Sequence, residues 1–192
     1  MIDSVAVFLR EQLEGYFGSQ TRASSPAEHG ALVVFPDGEK LDASPFRLGT
    51  VTLLLINLAE EVGAHAPDRY LNVSQGGPAF RVQPGIAISM YVLVVANFKN
   101  YGQSLLYISM TIQFFLKHRV FCRETAPKLD RRIDRLVVEM TTLSLSEQNN
   151  LWSMLRVTYR PSVVYKIKMI VFEDHAPQAL PVISEVRINV EQ

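Results

Sequence analysis

One apolar run constrains the fold of this chain more than any other feature. It extends from Ile86 to Ala96 and is almost unbroken. A helix needs about 20 apolar residues to cross a bilayer, so the run is too short for a membrane span. Its alternating pattern makes Ile86–Asn97 the strongest candidate for a central strand. Ile88, Met90, Val92 and Val94 form one face, and Ser89, Tyr91, Leu93 and Val95 form the other.

A second apolar segment follows a turn at Asn100–Gly102 and predicts a helix over Gln103–His118. Its helical spacing predicts a core stripe of Leu105, Ile108, Ile112 and Phe115. The stripe is widened by Leu106, Met110 and Phe114. This is more apolar surface than one sheet face usually covers, so the helix is either deeply buried or shared with a partner.

The remaining pattern predicts two further helices and several strands. A helix is expected over 4–17, with Asp3 as N-cap and Gly18 as its end. Ser144 and Glu147 have capping-box spacing and predict a short helix through Leu155. The predicted strands are Ala31–Phe35, Thr50–Leu58 (apolar on both faces), Ile133–Leu143, Ser162–Phe172 and Val182–Val190.

The order of these elements lacks a regular βαβ alternation. It predicts an α+β fold, in which helices pack against a mixed, largely antiparallel sheet. No internal repeat or charge run marks a boundary, so residues 1–192 are interpreted as one domain. Residues 19–30 and 65–85 have loop composition and are expected to be mobile or to make contacts.

Charge and cysteine content exclude several classes of protein. Lys and Arg number 19 and so do Asp and Glu, which argues against strong global attraction to nucleic acid or anionic lipid. Cys122 is the single cysteine, so the chain forms no internal disulfide. The N-terminal residues do not resemble a signal peptide, and we expect synthesis and assembly in the cytoplasm.

The search for catalytic and cofactor motifs finds none. The chain has no G-x-S-x-G elbow and no Gly-rich phosphate loop. Its four histidines lack zinc spacing, and a His118–Cys122 metal pair is less favoured than an unligated pair. Glu60 and Glu61 are adjacent on a strand and therefore point to opposite faces. Trp152 and Tyr165 fit core aromatics better than a stacking platform. We predict no enzyme, cofactor or metal.

The segment Lys117–Arg135 is locally basic. It holds seven Lys or Arg residues against three acidic ones, and it could bind an anionic protein or nucleic acid. Asp130 and Asp134 are interleaved with the cations, which favours local ion pairing over phosphate binding. Nucleic acid is therefore not expected as a partner.

Several stretches resemble the Pvc16 N-terminal domain family, and together they span nearly the whole chain. A departure is Arg156-Val157-Thr158, where similar members often have small residues, including glycine. The stretches that carry the resemblance are Thr125–Asp130, Arg132–Glu139, Leu145–Leu155, Tyr159–Ile167, the strand Ile86–Ala96 and the helix end Ile112–Phe115.

The resemblance implies a phage tail-terminator-like fold and a structural role. Members of the family cap the tube and sheath of contractile injection systems at the end distal to the baseplate, as six-fold rings. The implied partners are copies of the chain, a tube protein, a sheath protein and a second cap protein. The particle is either released or membrane-anchored. No catalytic residue or cofactor comes with the resemblance.

Two alternatives to a resident cap stay open: an assembly factor that sets tube length and leaves, and an enzyme with scattered active-site residues. The helix Gln103–His118 is a candidate ring contact. The loop His65–Gly85 and the basic segment are candidate contacts to tube or sheath. Val182–Val190 is either the last strand of its own sheet, which we favour, or an edge that pairs with a neighbour. The candidate interface residues are Leu106, Met110, Phe114, Arg119, Arg123, Lys128, Arg131, Arg132, Val186 and Ile188.

Overall fold

The computed structural model describes residues 1–20, 31–36, 45–61, 71–72, 80–81, 87–171 and 178–179. Its helices are α1 (Ile2–Gln20), α2 (Tyr101–Lys117) and α3 (Leu145–Leu155). Its strands are β1 (Val33–Val34), β2 (Thr50–Glu60), β3 (Leu71–Asn72), β4 (Phe80–Arg81), β5 (Ala87–Asn97), β6 (Val120–Cys122), β7 (Ile133–Thr141), β8 (Ser162–Val171) and β9 (Gln178–Ala179).

A six-stranded sheet in the order β1-β2-β5-β8-β7-β6 organises the fold. Every neighbouring pair in it is antiparallel except β1 with β2, which is parallel. The short strands β3, β4 and β9 form a second, antiparallel sheet. The predicted α+β class with a mixed, largely antiparallel sheet is confirmed.

Strand β5 is central, as its apolar run predicts. It pairs with β2 on one side and with β8 on the other. Met90, Val92 and Val94 face one helical layer, whereas Leu93 and Val95 face the other. Period-two alternation on a strand that is covered on both sides thus places apolar side chains in two separate cores.

The larger core lies between one sheet face and helices α1 and α2. Phe17 of α1 packs edge-on against Tyr107 of α2, with ring centroids 5.2 Å apart. The carboxylate of Glu14 accepts hydrogen bonds from the backbone N–H groups of Leu32 (3.0 Å) and Val33 (2.6 Å). These bonds join α1 to the edge strand β1.

Helix α3 covers part of the opposite sheet face through Trp152, which packs with Phe46, Leu93 and Val164. The predicted capping box is present: the Ser144 hydroxyl accepts from the Glu147 N–H, and the Glu147 carboxylate accepts from the Ser144 N–H. The helix ends at Leu155, and Arg156 follows in the left-handed region with φ of 53°.

The face of α2 that the structure buries differs from the predicted core stripe by a rotation about the helix axis. Leu105 is exposed and Ile108 and Ile112 are only partly buried. The residues that α2 buries are Ser104, Tyr107, Met110, Thr111, Phe114 and Phe115. Packing against α1 selects this face, whose polar members make internal hydrogen bonds. The Thr111 hydroxyl donates to the Tyr107 carbonyl at 2.8 Å.

Other boundaries also differ from the predictions. Helix α1 begins at Ile2, and it continues past Gly18 to Gln20. The predicted burial of both faces of β2 holds only for its first half, because Leu55 and Leu58 are exposed. Strand β6 was not predicted from the sequence.

Some predicted segments fall beyond the described part of the chain. The expected strand Val182–Val190 lies outside it, as do residues 21–30. Within 65–85, the described pieces are the strands β3 and β4. These two strands pair with each other, so the segment 65–85 is not a loop throughout.

Candidate functional site

The outer face of α2 is the most unusual surface of the described structure. The helix contains no charged residue before Lys117, its last residue. The Asn100 side chain caps its start by accepting from the Gly102 N–H at 2.8 Å. A helix this free of charge would ordinarily be buried all round.

Four large apolar side chains on this face nevertheless reach solvent. Tyr101 is 63% exposed, Leu116 59%, Leu106 52% and Leu105 44%. Tyr101 and Leu105 are one turn apart, and Leu116 lies three turns after Leu105 on the same side. We call Tyr101, Leu105, Leu106 and Leu116 the outer face of α2. A surface with several exposed apolar side chains and no charge is typical of a protein–protein contact.

The outer face leads at Leu116 into a cleft beside the edge strand β6. The cleft combines exposed apolar side chains with positive charge: Leu116 and Val120 lie next to Lys117 and Arg119, and His118 also lines it. The His118 ring packs against Phe114, with centroids 4.7 Å apart, and against Phe121. His118 therefore belongs to an aromatic cluster, and it does not share a helical face with Cys122, which lies on β6.

Part of the basic segment is neutralised within the subunit, as the interleaved acids predict. Arg132 binds Asp130 through two nitrogens, at 2.7 and 3.1 Å. These hydrogen bonds, with that from the Arg132 N–H, hold the pKa of Asp130 well below its ordinary value. Lys128 lies 3.6 Å from Glu11 of α1. The Arg123 guanidinium donates to the Arg131 carbonyl.

Four exposed cations of the basic segment remain without such compensation. No ion pair within the described ranges involves Lys117, Arg119, Arg131 or Arg135. All four side chains are exposed. Exposed cations next to apolar side chains can bind an acidic rim on a partner, with modest energy per pair.

A second charged cluster lies on the sheet face that also carries α3. The Ser89 hydroxyl donates to Glu61 at 2.6 Å, and Lys166 lies 2.5 Å from the same carboxylate oxygen. This contact lowers the pKa of Glu61 and raises that of Lys166. Lys168 pairs with Glu139 at 2.8 Å. Each charge has a partner, so the cluster ties neighbouring strands together.

Glu60 and Glu61 are separated, as their adjacency predicts. Glu61 binds Ser89 and Lys166, whereas Glu60 is exposed beside Leu58 at a different surface. Within the described ranges, no three His, Cys, Asp or Glu side chains gather as a metal site would require. None of the described helices is both long and apolar enough to span a membrane.

The family profile described as the Pvc16 N-terminal domain matches residues 4–185. The chain belongs to the Pvc16 N-terminal domain family. This match confirms the resemblance found in the sequence. No curated protein matches the chain significantly.

A solved structure shows the same fold. The chain is similar to the PVC sheath/tube terminator of an extracellular contractile injection system, in its extended state. The TM-score is 0.59 and the identity 16%, over 100% of this chain and 64% of that one. This chain thus spans less than two thirds of that protein's length. The cap of the anti-feeding prophage matches at TM-score 0.47 and 13% identity, over 73% of this chain and 48% of that chain.

The structure places the predicted interface residues of this Pvc16-family chain in three groups. Met110 and Phe114 are buried within the subunit between α2 and α1, so they are core residues and offer no surface to a partner. Val186 and Ile188 lie outside the described residues. The remaining six are exposed: Leu106, Arg119, Arg123, Lys128, Arg131 and Arg132.

Sequence reasoning missed four exposed apolar residues of this surface: Tyr101, Leu105, Leu116 and Val120. The signal that could have found them is the absence of charge from α2 before Lys117, its last residue. A helix with so few charged residues is expected to cover apolar surface on more than one side. The side that α1 and the sheet leave open is then a candidate contact surface.

Proposed function

We propose that this chain is a tail terminator of a phage-tail-like contractile injection particle. Copies of it form a closed six-fold ring that ends the inner tube and anchors the last sheath ring. One observation carries the proposal. Its fold resembles, along the whole length of this chain, a protein described as a sheath/tube terminator. Membership of the Pvc16 N-terminal domain family supports the same role.

The exposed surfaces suit a subunit of such a ring. A ring of identical subunits needs two different surfaces that fit each other, because each copy contacts its neighbours head to tail. The outer face of α2 is our candidate for one of them, since Leu105, Leu106 and Leu116 are apolar and exposed. Burial of these side chains against a neighbour would supply the main stabilisation of the ring.

The basic segment is our candidate for contact with the tail itself. Arg123, Lys128, Arg131 and Arg132 are exposed, and Arg119 lies between them and the outer face of α2. Residues 65–85 and the pair Val186 and Ile188 remain proposed contacts. The partners are the tube protein, the sheath protein and a second cap protein. We propose assembly in the cytoplasm, in a particle that is released or membrane-anchored.

Particles purified from producing cells test the role. A terminator stays with the particle in ring stoichiometry at one end of the tube. Deletion of its gene should give tubes of uncontrolled length or unstable sheaths. Wild-type particles that lack the chain, with a tube length that deletion of its gene leaves unchanged, would contradict the proposal. Length control by a chain that is absent from the finished particle would indicate an assembly factor.

A further inference from the structure

An apolar groove lies along β2, near the opposite end of the sheet order from β6. Ile2, Leu58 and Ile88 line it, and Glu60 stands at its rim. Leu58 is 44% exposed, so the groove has room for a side chain from outside. Its wall is the second half of β2. Strand β1 pairs only with Val51 and Thr52, and no other described strand lies beside the rest of that edge.

A projection of matching chemistry lies at the opposite edge of the sheet. Leu116 and Val120 are 59% and 48% exposed, and Lys117 and Arg119 flank them. The Val138 N–H donates to the Arg119 carbonyl, so Val120, the next residue, directs its own N–H and C=O away from β7. The backbone N–H and C=O of Cys122 also face away from β7. They are already hydrogen-bonded to the turn at Thr125.

The strand register places groove and projection at the same level. Ala59, beside Leu58, pairs with Ser89, and Ser89 pairs with Lys168. Lys168 pairs with Val137, and Val137 pairs with Val120. One row of register partners therefore crosses the sheet from the groove to the projection. Four strand spacings of roughly 4.8 Å separate β2 from β6, so the two surfaces are about 19 Å apart.

We propose that the projection of one copy docks into the groove of the next copy. Leu116 and Val120 would cover Leu58 and Ile88, while Glu60 would pair with Lys117 or Arg119. The occupant is a second copy because each surface supplies what the other lacks: apolar side chains with a cationic rim against an apolar groove with an acidic rim. This inference rests on the proposed ring and names its two surfaces.

The docking of two different surfaces limits how copies can assemble. Two different patches on one subunit make a head-to-tail contact, which closes as a ring or continues as a helix. The proposed ring is the closed case, and it has a fixed number of copies, whereas an open helix has none.

Mixing of full-length variants tests the docking directly. Leu116→Asp blocks the projection, and Leu58→Asp blocks the groove. Both positions are exposed, so both variants should fold, and their melting temperatures should match that of the wild type diluted until it is dissociated. Size-exclusion chromatography with light scattering should give a ring for the wild type and monomers for each variant alone. A 1:1 mixture of the two variants should give a dimer, because one intact junction remains.

Charge exchange and a control make the test specific. Glu60→Lys should weaken the ring at low salt, and combining it with Lys117→Glu and Arg119→Glu should restore assembly. Leu145→Asp, on the exposed start of α3, should assemble like the wild type. Rings formed by Leu58→Asp would overturn the docking and leave the proposed function standing. A wild type that stays monomeric at every concentration would contradict both.

Discussion

The Ser4 hydroxyl donates a hydrogen bond to Oδ2 of Asp130 at 3.0 Å, although 126 positions separate the two residues in the chain. Arg132 binds the same carboxylate from the other side. Asp130 therefore joins the first turn of α1 to the loop that enters β7. The basic segment is held in place by this carboxylate, and its geometry should depend on the charge of Asp130.

Asp130→Asn should remove an acid-sensitive part of the stability. The pKa of Asp130 is lowered in the folded chain relative to its ordinary value of 3.8. Its contribution is therefore complete above about pH 4 and is lost as the pH falls towards the folded pKa. Urea denaturation between pH 2 and pH 6 should show a shallower acid loss in the variant. Ser4→Ala keeps the contacts between Arg132 and Asp130, so it should retain most of the loss of stability at acid pH. Identical pH profiles for wild type and Asp130→Asn would contradict this role.

The capping box of α3 predicts a local cost. Ser144→Ala leaves the Glu147 N–H without its partner and should lower the free energy of unfolding by about 1 kcal/mol. Ser153→Ala, on the same helix and exposed, should change it by less than about 0.5 kcal/mol. Thermal denaturation of both variants provides the comparison. Equal effects would mean that the cap does not hold α3 on the sheet.

The two sides of α2 should respond differently to substitution. Phe114 is buried against α1, and Phe114→Ala should cost about 3–5 kcal/mol of folding stability. Leu105 is exposed, so Leu105→Asp should leave the unfolding transition of the dissociated subunit almost unchanged while it weakens ring formation. Chemical denaturation and sedimentation velocity separate the effects. An unfolded Leu105→Asp variant would show that this face belongs to the subunit core.

Arg156 adopts a backbone conformation that glycine adopts at little cost. Its φ of 53° follows the last turn of α3, where a left-handed residue commonly ends a helix. Arg156→Gly should raise the free energy of unfolding by up to about 1 kcal/mol, because the side chain no longer opposes this conformation. Arg156→Ala removes the side chain's charge and keeps the strain, and it should give no such gain. Destabilisation by glycine would refute the strain argument.

Strands β5 and β8 could be predicted from the sequence because their apolar side chains alternate between the two faces of the sheet. Tyr165, Ile167 and Met169 of β8 are buried in succession, as their spacing indicates. Strand order depends instead on which edges meet in three dimensions, and local pattern does not encode it. Strand β6 has only three residues, too few for a period to be visible.

The face that α2 buries could not be predicted from apolar residues alone. Ser104, Tyr107 and Thr111 are buried, and the hydroxyl groups of Ser104 and Thr111 form hydrogen bonds with nearby backbone groups. A stripe drawn through leucine and isoleucine therefore selects the face that the subunit leaves open. The surplus of apolar residues on α2 nevertheless indicates a shared helix, and the exposed residues Leu105 and Leu116 carry that surplus.

Electron cryomicroscopy of purified particles tests the terminator role most directly. We expect six copies of this chain in one closed ring at the tube end distal to the baseplate, with Leu116 of each copy buried against the next. A tube end without this chain, or a ring in which the outer face of α2 remains in solvent, would contradict it.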